Sequence, residues 1–177
     1  MIGVLVSGEG TNLQALMDAD LPVAAVASNR AEARALDRAD GAGIANDAFE
    51  LEDYDCREAR DEAMADWLLA QGVDLVVCAG YMHVLTPRFL DRFPQRIVNV
   101  HPSLLPQFPG ARAIDDALAA GVATTGVTVH VVDEGLDSGP VLRQEQVEVE
   151  PRETLLERIH HVEHRLLPEV VRELCAR

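Results

Sequence analysis

Residues 2–12 read IGVLVSGEGTN, an apolar run that turns at once into a glycine-rich loop. The apolar run Ile2–Val6, bounded by glycine, predicts a buried strand. The residues that follow, Thr11–Asp18, place their apolar side chains on one face and predict a helix. Strand, glycine loop and helix in this order form the first unit of an open α/β sheet, whose ligands collect at the carboxyl ends of its strands.

The same alternation continues along the chain and predicts the fold class. Further strands are expected at Pro22–Ala27, Ile44–Ala45, Val73–Ala79, Ile97–Val100, Thr124–Val132 and Val141–Val149. Further helices are expected at Ala31–Ala39, Arg57–Gln71, Thr86–Arg92, 112–120 and Glu153–Leu174. This order predicts an α/β fold with a doubly wound, mostly parallel sheet flanked by helices. The last two strands lack a helix between them, which predicts an antiparallel edge. No segment has linker composition, so we expect a single domain over residues 1–177.

The charge balance argues against two classes of partner. Thirty acidic residues face fifteen basic ones, and the formal net charge is −15. Nucleic acid and anionic membranes both need a basic surface, so neither is expected as a partner. Every basic residue is an arginine, so no lysine of this chain can form a Schiff base or clamp a phosphate.

The cysteines and the N-terminal residues indicate a reducing, cytoplasmic location. Cys56, Cys78 and Cys175 are odd in number and lack CxxC spacing, so neither a disulfide framework nor a zinc site is indicated. The chain opens with strand residues and not with a basic leader. Its longest apolar run, Leu75 to Met82, is far shorter than a membrane span.

Two loops are candidates for binding and catalysis. The glycine loop at residues 7–12 would expose backbone N–H groups at a helix N-terminus, which suits an anion such as phosphate. It is equally compatible with a tight turn that has Thr11 as the helix N-cap. Further along, Asn99 and His101 alternate with Val100 at the end of a buried strand and therefore share one sheet face. An amide donor beside an imidazole predicts a pair that stabilises an oxyanion.

Other polar clusters are weaker candidates. The acidic turn at 133–140 has a function only if one of its carboxylates reaches His101, which spacing cannot show. His160, His161 and His164 lie on the last predicted helix, but no HExxH order or third ligand accompanies them. We expect a solvated or substrate-facing helix there and no metal. His130 is interpreted as an ordinary strand residue.

These motifs together resemble a known family. The chain closely resembles the phosphoribosylglycinamide formyltransferases, the 10-formyltetrahydrofolate-dependent enzymes of purine synthesis, from residue 1 to about residue 174. The resemblance rests on SGEGTNLQAL at residues 7–16, AGYM at 79–82, NVHPSLLP at 99–106, FPG at 108–110 and LDSGP at 136–140. It implies a formyltransferase fold, 10-formyltetrahydrofolate as the formyl-donor co-substrate, glycinamide ribonucleotide as the acceptor, and no metal. A homodimer is left open.

The resemblance also implies a role for particular residues. The catalytic positions are Asn99, His101 and Asp137, of which Asn99 and a protonated His101 would stabilise the oxyanion while Asp137 supports the imidazolium. The phosphate and the glycyl amine of the ribonucleotide would be bound by Gly10, Thr11, Asn12, Arg57 and Glu163. The folate pocket would be lined by Met82, His83, Val84 and Leu85.

Some positions depart from the family pattern, and other functions stay open. His83 stands where the family often has arginine, and Arg112 and Ile114 stand where it usually has histidines. The alternatives are a formyltetrahydrofolate hydrolase, another formyltransferase of the same fold acting on a transfer RNA or a sugar nucleotide, and a non-catalytic folate- or nucleotide-binding module. An assay for folate product separates the enzymes from the binding module.

Overall fold

The computed structural model describes residues 1–176 and places seven strands and six α-helices in them. The strands are β1 (Ile2–Val6), β2 (Val23–Ser28), β3 (Ala45–Ala48), β4 (Leu75–Cys78), β5 (Ile97–His101), β6 (Thr124–Val131) and β7 (Val141–Glu148). The helices are α1 (Thr11–Asp18), α2 (Arg34–Gly41), α3 (Arg57–Ala70), α4 (Pro87–Leu90), α5 (Ala113–Ala120) and α6 (Leu155–Cys175). Every predicted element is present, and its bounds differ from the prediction by a few residues at most.

The chain divides into two compact units, and the boundary falls between Val98 and Asn99. In the first unit the strand order is β3-β2-β1-β4, and the pairs β1–β2, β1–β4 and β2–β3 are all parallel. All five residues of β1 are buried, as expected for a strand covered on both faces. The predicted parallel sheet is therefore confirmed in this unit. The prediction of a single domain over residues 1–177 stays a prediction.

In the second unit the strand order is β5-β6-β7, and β6 and β7 pair antiparallel. The predicted antiparallel edge is thus confirmed. Gly126 of β6 has no room for a side chain, because a Cβ there would lie 2.2 Å from the Glu145 carbonyl oxygen and 2.5 Å from Leu104. The chain that follows His101 can therefore pack directly on β6. Thr128 fixes it there, since its hydroxyl donates to the Ser103 carbonyl over 2.7 Å.

One of the two interpretations of the glycine loop is wrong. The N-cap of α1 is Gly10 and not Thr11, because the loop enters the helix through a left-handed residue with φ of 73°. The buried face of helix α3 carries two charged residues, Arg60 and Asp61, together with Met64, Ala65 and Leu68. The charged pair can lie inside because the two side chains neutralise each other. Within residues 1–176, no helix combines the length and the apolar character that a membrane crossing requires.

Candidate active site

His101 lies at the end of β5 and is 5% exposed. Its Nε2 is 2.8 Å from the Phe108 carbonyl oxygen, and its Nδ1 is 3.5 Å from Asp137 Oδ2. A carbonyl and a carboxylate can only accept hydrogen bonds, so both ring nitrogens face acceptors. A neutral imidazole has one N–H and can satisfy only one of them. The doubly protonated imidazolium would satisfy both.

Asp137 supplies the negative charge next to this ring. Its Oδ2 accepts the Gly110 N–H over 2.7 Å, and its Oδ1 is 3.5 Å from Asn99 Nδ2. Burial alone would raise the pKa of Asp137, but the hydrogen bond from the Gly110 N–H and the nearby His101 ring lower it below its ordinary value of 3.8. The carboxylate is therefore ionised at neutral pH. The predicted residues Asn99, His101 and Asp137 lie together in one site.

Sequence reasoning missed a fourth member of this site, His130 of β6. Its Nδ1 is 2.9 Å from the Val131 carbonyl and must donate to it, which leaves Nε2 of the neutral ring as an acceptor. That nitrogen is 3.2 Å from Asn99 Nδ2 and 3.6 Å from Asp137 Oδ1. His130 thus orients the Asn99 amide so that one of its N–H groups is held and the other stays available. The only signal in the sequence was a histidine near the end of a strand of valine and threonine.

Asp137 and not Asp133 is the carboxylate of the 133–140 turn that reaches His101. Asp133 Oδ1 accepts the Gly135 N–H over 3.0 Å and the Ser138 hydroxyl over 2.8 Å, so this side chain closes its own turn. Asp137 adopts a left-handed backbone with φ of 51°. An imidazole, an amide N–H and a carboxylate in one site can stabilise an oxyanion and move a proton.

The predicted phosphate loop lies between β1 and α1 of the first unit. Gly10 is required there, since a Cβ at this position would lie 2.6 Å from that of Ala35. The loop is held from α2, where Arg38 Nε donates to the Glu9 carbonyl over 2.7 Å. Asn12 is buried and Thr11 is half-buried. The loop is thus a rigid turn at a helix N-terminus, and its binding of phosphate stays a prediction.

The predicted folate segment, Met82–Leu85, also belongs to the first unit. Met82 and Val84 are 58% and 48% exposed, whereas Leu85 is buried. The backbone of the segment is held at both ends of this exposed stretch. The Ser7 hydroxyl accepts the Met82 N–H over 2.9 Å, and the Arg57 guanidinium donates to the Val84 carbonyl. Arg57 therefore has a structural partner, and its predicted contact with phosphate stays a prediction.

Helix α6 carries Glu163 and the three histidines. Glu163 is 6% exposed, and its predicted contact with the glycyl amine stays a prediction. The rings of His160 and His164 stack with centroids 5.9 Å apart. Burial first, and then the charges of His160 and His161, lower the pKa of His164. Among the described residues, no three His, Cys, Asp or Glu side chains are grouped so as to hold a metal ion.

The known proteins to which the chain is similar belong to one family. The family model described as Formyl transferase matches residues 1–171. A phosphoribosylglycinamide formyltransferase of Mycobacterium tuberculosis is 46% identical, over 97% of this chain and 83% of the relative. The corresponding Bacillus subtilis protein is 36% identical, over 97% and 92%. A crystal structure of glycinamide ribonucleotide transformylase 1 from Symbiobacterium toebii is 47% identical, with a TM-score of 0.94 over 97% of this chain and 85% of that one. These matches confirm the predicted fold class and the resemblance.

Proposed function

The chain belongs to the formyl transferase family, and we propose that it transfers the formyl group of 10-formyltetrahydrofolate to the amine of glycinamide ribonucleotide. The products are formylglycinamide ribonucleotide and tetrahydrofolate. The observation that carries this proposal is the His101 ring, which lies between the Phe108 carbonyl and the Asp137 carboxylate with Asn99 beside it. Formyl transfer needs a fixed positive charge where a tetrahedral intermediate becomes negative, and this ring supplies one.

The reaction is a direct acyl transfer. The amine nitrogen of the ribonucleotide attacks the formyl carbon, and the electron pair of the C=O bond moves to oxygen. Asn99 and the His101 imidazolium donate to this oxyanion, which competes with the Phe108 carbonyl for the ring N–H. The oxyanion then collapses and the bond from carbon to N10 of the folate breaks. The proton lost by the amine passes through water beside Asp137 to the departing nitrogen.

The Asn99 amide suits this role because only one of its N–H groups is firmly held. The contact of Asn99 Nδ2 with His130 Nε2 is 3.2 Å, whereas that with Asp137 Oδ1 is 3.5 Å and at the limit of a hydrogen bond. The second N–H can therefore turn to the oxyanion at little cost. No step acylates a residue of the chain, and no step needs a metal.

Substrate binding completes the proposal. Gly10, Thr11, Asn12 and Arg57 bind the phosphate of the ribonucleotide, and Glu163 binds its amine. A local anchor is needed because a chain with a net charge of −15 does not attract an anion by its overall field. The exposed apolar side chains Met82 and Val84 contact the folate, together with His83 and Leu85. Cys56, Cys78 and Cys175 are not joined in a disulfide, which supports a cytoplasmic enzyme.

The test follows formate and formylated ribonucleotide separately in one reaction. We expect slow formate release from 10-formyltetrahydrofolate alone and rapid tetrahydrofolate formation once glycinamide ribonucleotide is added. Water lacks the phosphate by which the ribonucleotide is held, so it cannot use that binding energy. The Glu163→Ala variant should lose the amine-dependent reaction without gaining hydrolysis. Rapid formate release that ignores the amine would identify a hydrolase and overturn the proposal.

A further inference from the structure

An ion pair is fully buried in α3, behind the segment that we propose to contact the folate. Arg60 and Asp61 are both 0% exposed, and Arg60 donates through Nε and Nη2 to Asp61 Oδ1 over 2.9 and 2.6 Å. A buried ion pair is stable only when its remaining hydrogen-bonding groups are also satisfied. The free groups of this pair are Arg60 Nη1 and Asp61 Oδ2, and both are directed at residues 82–86.

These two groups hold the segment at two points. Arg60 Nη1 is 2.7 Å from His83 Nδ1, and Asp61 Oδ2 accepts the Thr86 N–H over 2.7 Å. The backbone contact at Thr86 depends on the carboxylate. The contact at His83 depends on a ring whose protonation can change within the physiological pH range. The ion pair therefore fixes one end of the segment permanently and the other end conditionally.

The Nε2 atom of His83 is linked to the same segment through Asn29 and Ser7. His83 Nε2 is 3.2 Å from Asn29 Nδ2, and Asn29 Oδ1 accepts the Ser7 hydroxyl over 2.6 Å. The Ser7 oxygen in turn accepts the Met82 N–H. Asn29 follows β2 and Ser7 follows β1, so the ring is bonded to side chains that come from the core of the first unit.

Both partners of the ring are N–H donors in this arrangement. A guanidinium cannot accept a hydrogen bond, so His83 Nδ1 must be the acceptor and must carry no proton. The neutral ring satisfies this contact, and rotation of the Asn29 amide can supply an acceptor for the N–H at Nε2. The imidazolium has no lone pair for Arg60 and would place one positive charge against another.

The charged groups that face His83 all come from α3. Burial of the ring lowers the pKa of His83 below its ordinary value of 6.5, and the positive charges of Arg60 and Arg57 lower it further against the opposing effect of Asp61. β1 and β2 contribute the neutral side chains of Ser7 and Asn29. Tyr81 contacts the ring edge-on, with centroids 5.9 Å apart.

We propose that His83 is a proton-sensitive positioning residue, which in its neutral form holds the Met82–Val84 part of the segment through Arg60 and, once protonated, loses this contact and weakens binding of the folate co-substrate. This inference rests on the proposed contact between the segment and the folate. The imidazolium is repelled by Arg60, so the backbone between Met82 and Val84 loses one of the contacts that hold it in place. The ribonucleotide is affected only through other groups.

The test compares the wild-type enzyme with His83→Gln. Tetrahydrofolate is the probe, and its dissociation constant is measured by calorimetry from about pH 7.5 to about pH 4.5 without oxygen. The glutamine carbonyl can accept from Arg60 but does not titrate. For the wild type we expect the dissociation constant to rise by about tenfold one pH unit below the pKa of His83. Dividing the wild-type dissociation constant by that of His83→Gln at each pH removes the effect of protonation of the ligand itself. His161→Gln, which changes an exposed histidine of α6, should give the same ratio to His83→Gln as the wild type does at each pH.

Two further measurements are independent of folate. The NMR titration of the His83 ring should have its midpoint below 6.5, whereas an exposed histidine titrates close to its ordinary value. His83→Arg, which sets two guanidinium groups against each other, should weaken tetrahydrofolate binding at every pH. Arg60→Gln combined with His83→Arg should restore part of that loss, since the one remaining guanidinium can pair with Asp61.

A midpoint at or above 6.5, or a ratio that is constant with pH, would overturn the inference. So would a double variant that binds tetrahydrofolate no better than His83→Arg. If formyl transfer is normal while the ratio is constant, the inference fails and the proposed function stands. If tetrahydrofolate does not bind the wild-type enzyme at any pH, the proposed function fails with it.

Discussion

The ring of His101 lies between two acceptors, the Phe108 carbonyl and the Asp137 carboxylate. The ring of His83 faces the permanently charged guanidinium of Arg60 at Nδ1 and the Asn29 amide at Nε2. The same side chain therefore faces only acceptors in the second unit and, at Nδ1, a permanent donor in the first. Its charge follows from what its neighbours can donate or accept and not from its burial alone. In the proposed reaction the first ring carries a positive charge, whereas in the proposed role of His83 the second ring holds its segment only while it is neutral.

The charged partners of the two rings differ in their exposure to solvent. Asp137 is partly accessible, with 12% of its side chain exposed, and it accepts a hydrogen bond from the Gly110 N–H. Arg60 and Asp61 are closed off from solvent and bonded to each other. A charge that must meet a substrate is placed at the edge of the protein interior, whereas a charge that only organises the backbone is buried with its counterion.

The largest expected effect comes from removing the cationic side of this comparison. His101→Ala and Asn99→Ala should each leave a folded enzyme whose turnover falls by about 10²–10³, because one donor to the oxyanion is lost. Turnover is measured at saturating substrates by folate absorbance, with circular dichroism as the check on folding. Near-normal turnover of either variant would mean that the residue is not part of the catalytic group.

A smaller loss is expected when the acceptor beside His101 is made neutral. Asp137→Asn should lower turnover by about 10- to 100-fold, as expected when a hydrogen bond to a charged group is lost. The variant should also lose the part of the free energy of unfolding that depends on ionisation of Asp137. The folded-state pKa of Asp137 is below its ordinary value of 3.8, so its contribution is present above pH 3.8 and is lost as the pH falls through the folded value. Urea unfolding of both proteins at neutral and acidic pH measures this difference, and parallel curves would contradict it.

Variants of His130 test whether the orientation of the Asn99 amide matters as much as the charge beside it. His130→Phe should lower turnover by about three- to tenfold, because Asn99 loses the acceptor that fixes its amide. His130→Gln keeps a carbonyl acceptor and should recover part of the loss. The two variants are compared by turnover and by the Michaelis constants for both substrates. Equal activity of the two would show that the Asn99 amide is oriented by something else.

The last prediction is that removal of metal ions has no effect on turnover. His160, His161 and His164 belong to neither side of the comparison, and we expect EDTA to leave turnover unchanged because no proposed step uses a metal. Turnover is measured after dialysis against EDTA, with and without added zinc. Inhibition that zinc reverses would assign the three histidines to a metal site.

Much of the fold could be predicted because the spacing of apolar residues along the sequence follows which side chains are buried. Ile2–Val6 and Thr11–Asp18 have the predicted bounds, since the first is buried throughout and the second is apolar on one face. β3 was less accurate, because Ala45–Ala48 is a short, polar edge strand whose pairing depends on β2 and not on its own pattern. Helix α2 begins at Arg34 and not at Ala31, since local preference for helix does not fix where a turn ends.

The site was predicted in part for the same reason. Asn99 and His101 could be placed on one face because strand geometry alternates side chains. Spacing alone could not choose between Asp133 and Asp137, since the choice depends on which carboxylate closes the turn. The resemblance singled out Asp137, and its contact with His101 agrees with that. The buried pair Arg60–Asp61 could not be seen in the pattern, because charged residues indicate an exposed face unless their partners are known.

The two residues that provide the acceptors for His101 have an unusual backbone. Phe108 and Asp137 have φ values of 52° and 51°, a left-handed conformation that glycine adopts more easily than any other residue. Phe108 serves the site through its carbonyl alone, so glycine there would keep the functional atom and relieve about 1 kcal/mol of strain. It would also let the carbonyl swing away from the ring. A more stable backbone and a firmly placed carbonyl therefore oppose each other at position 108.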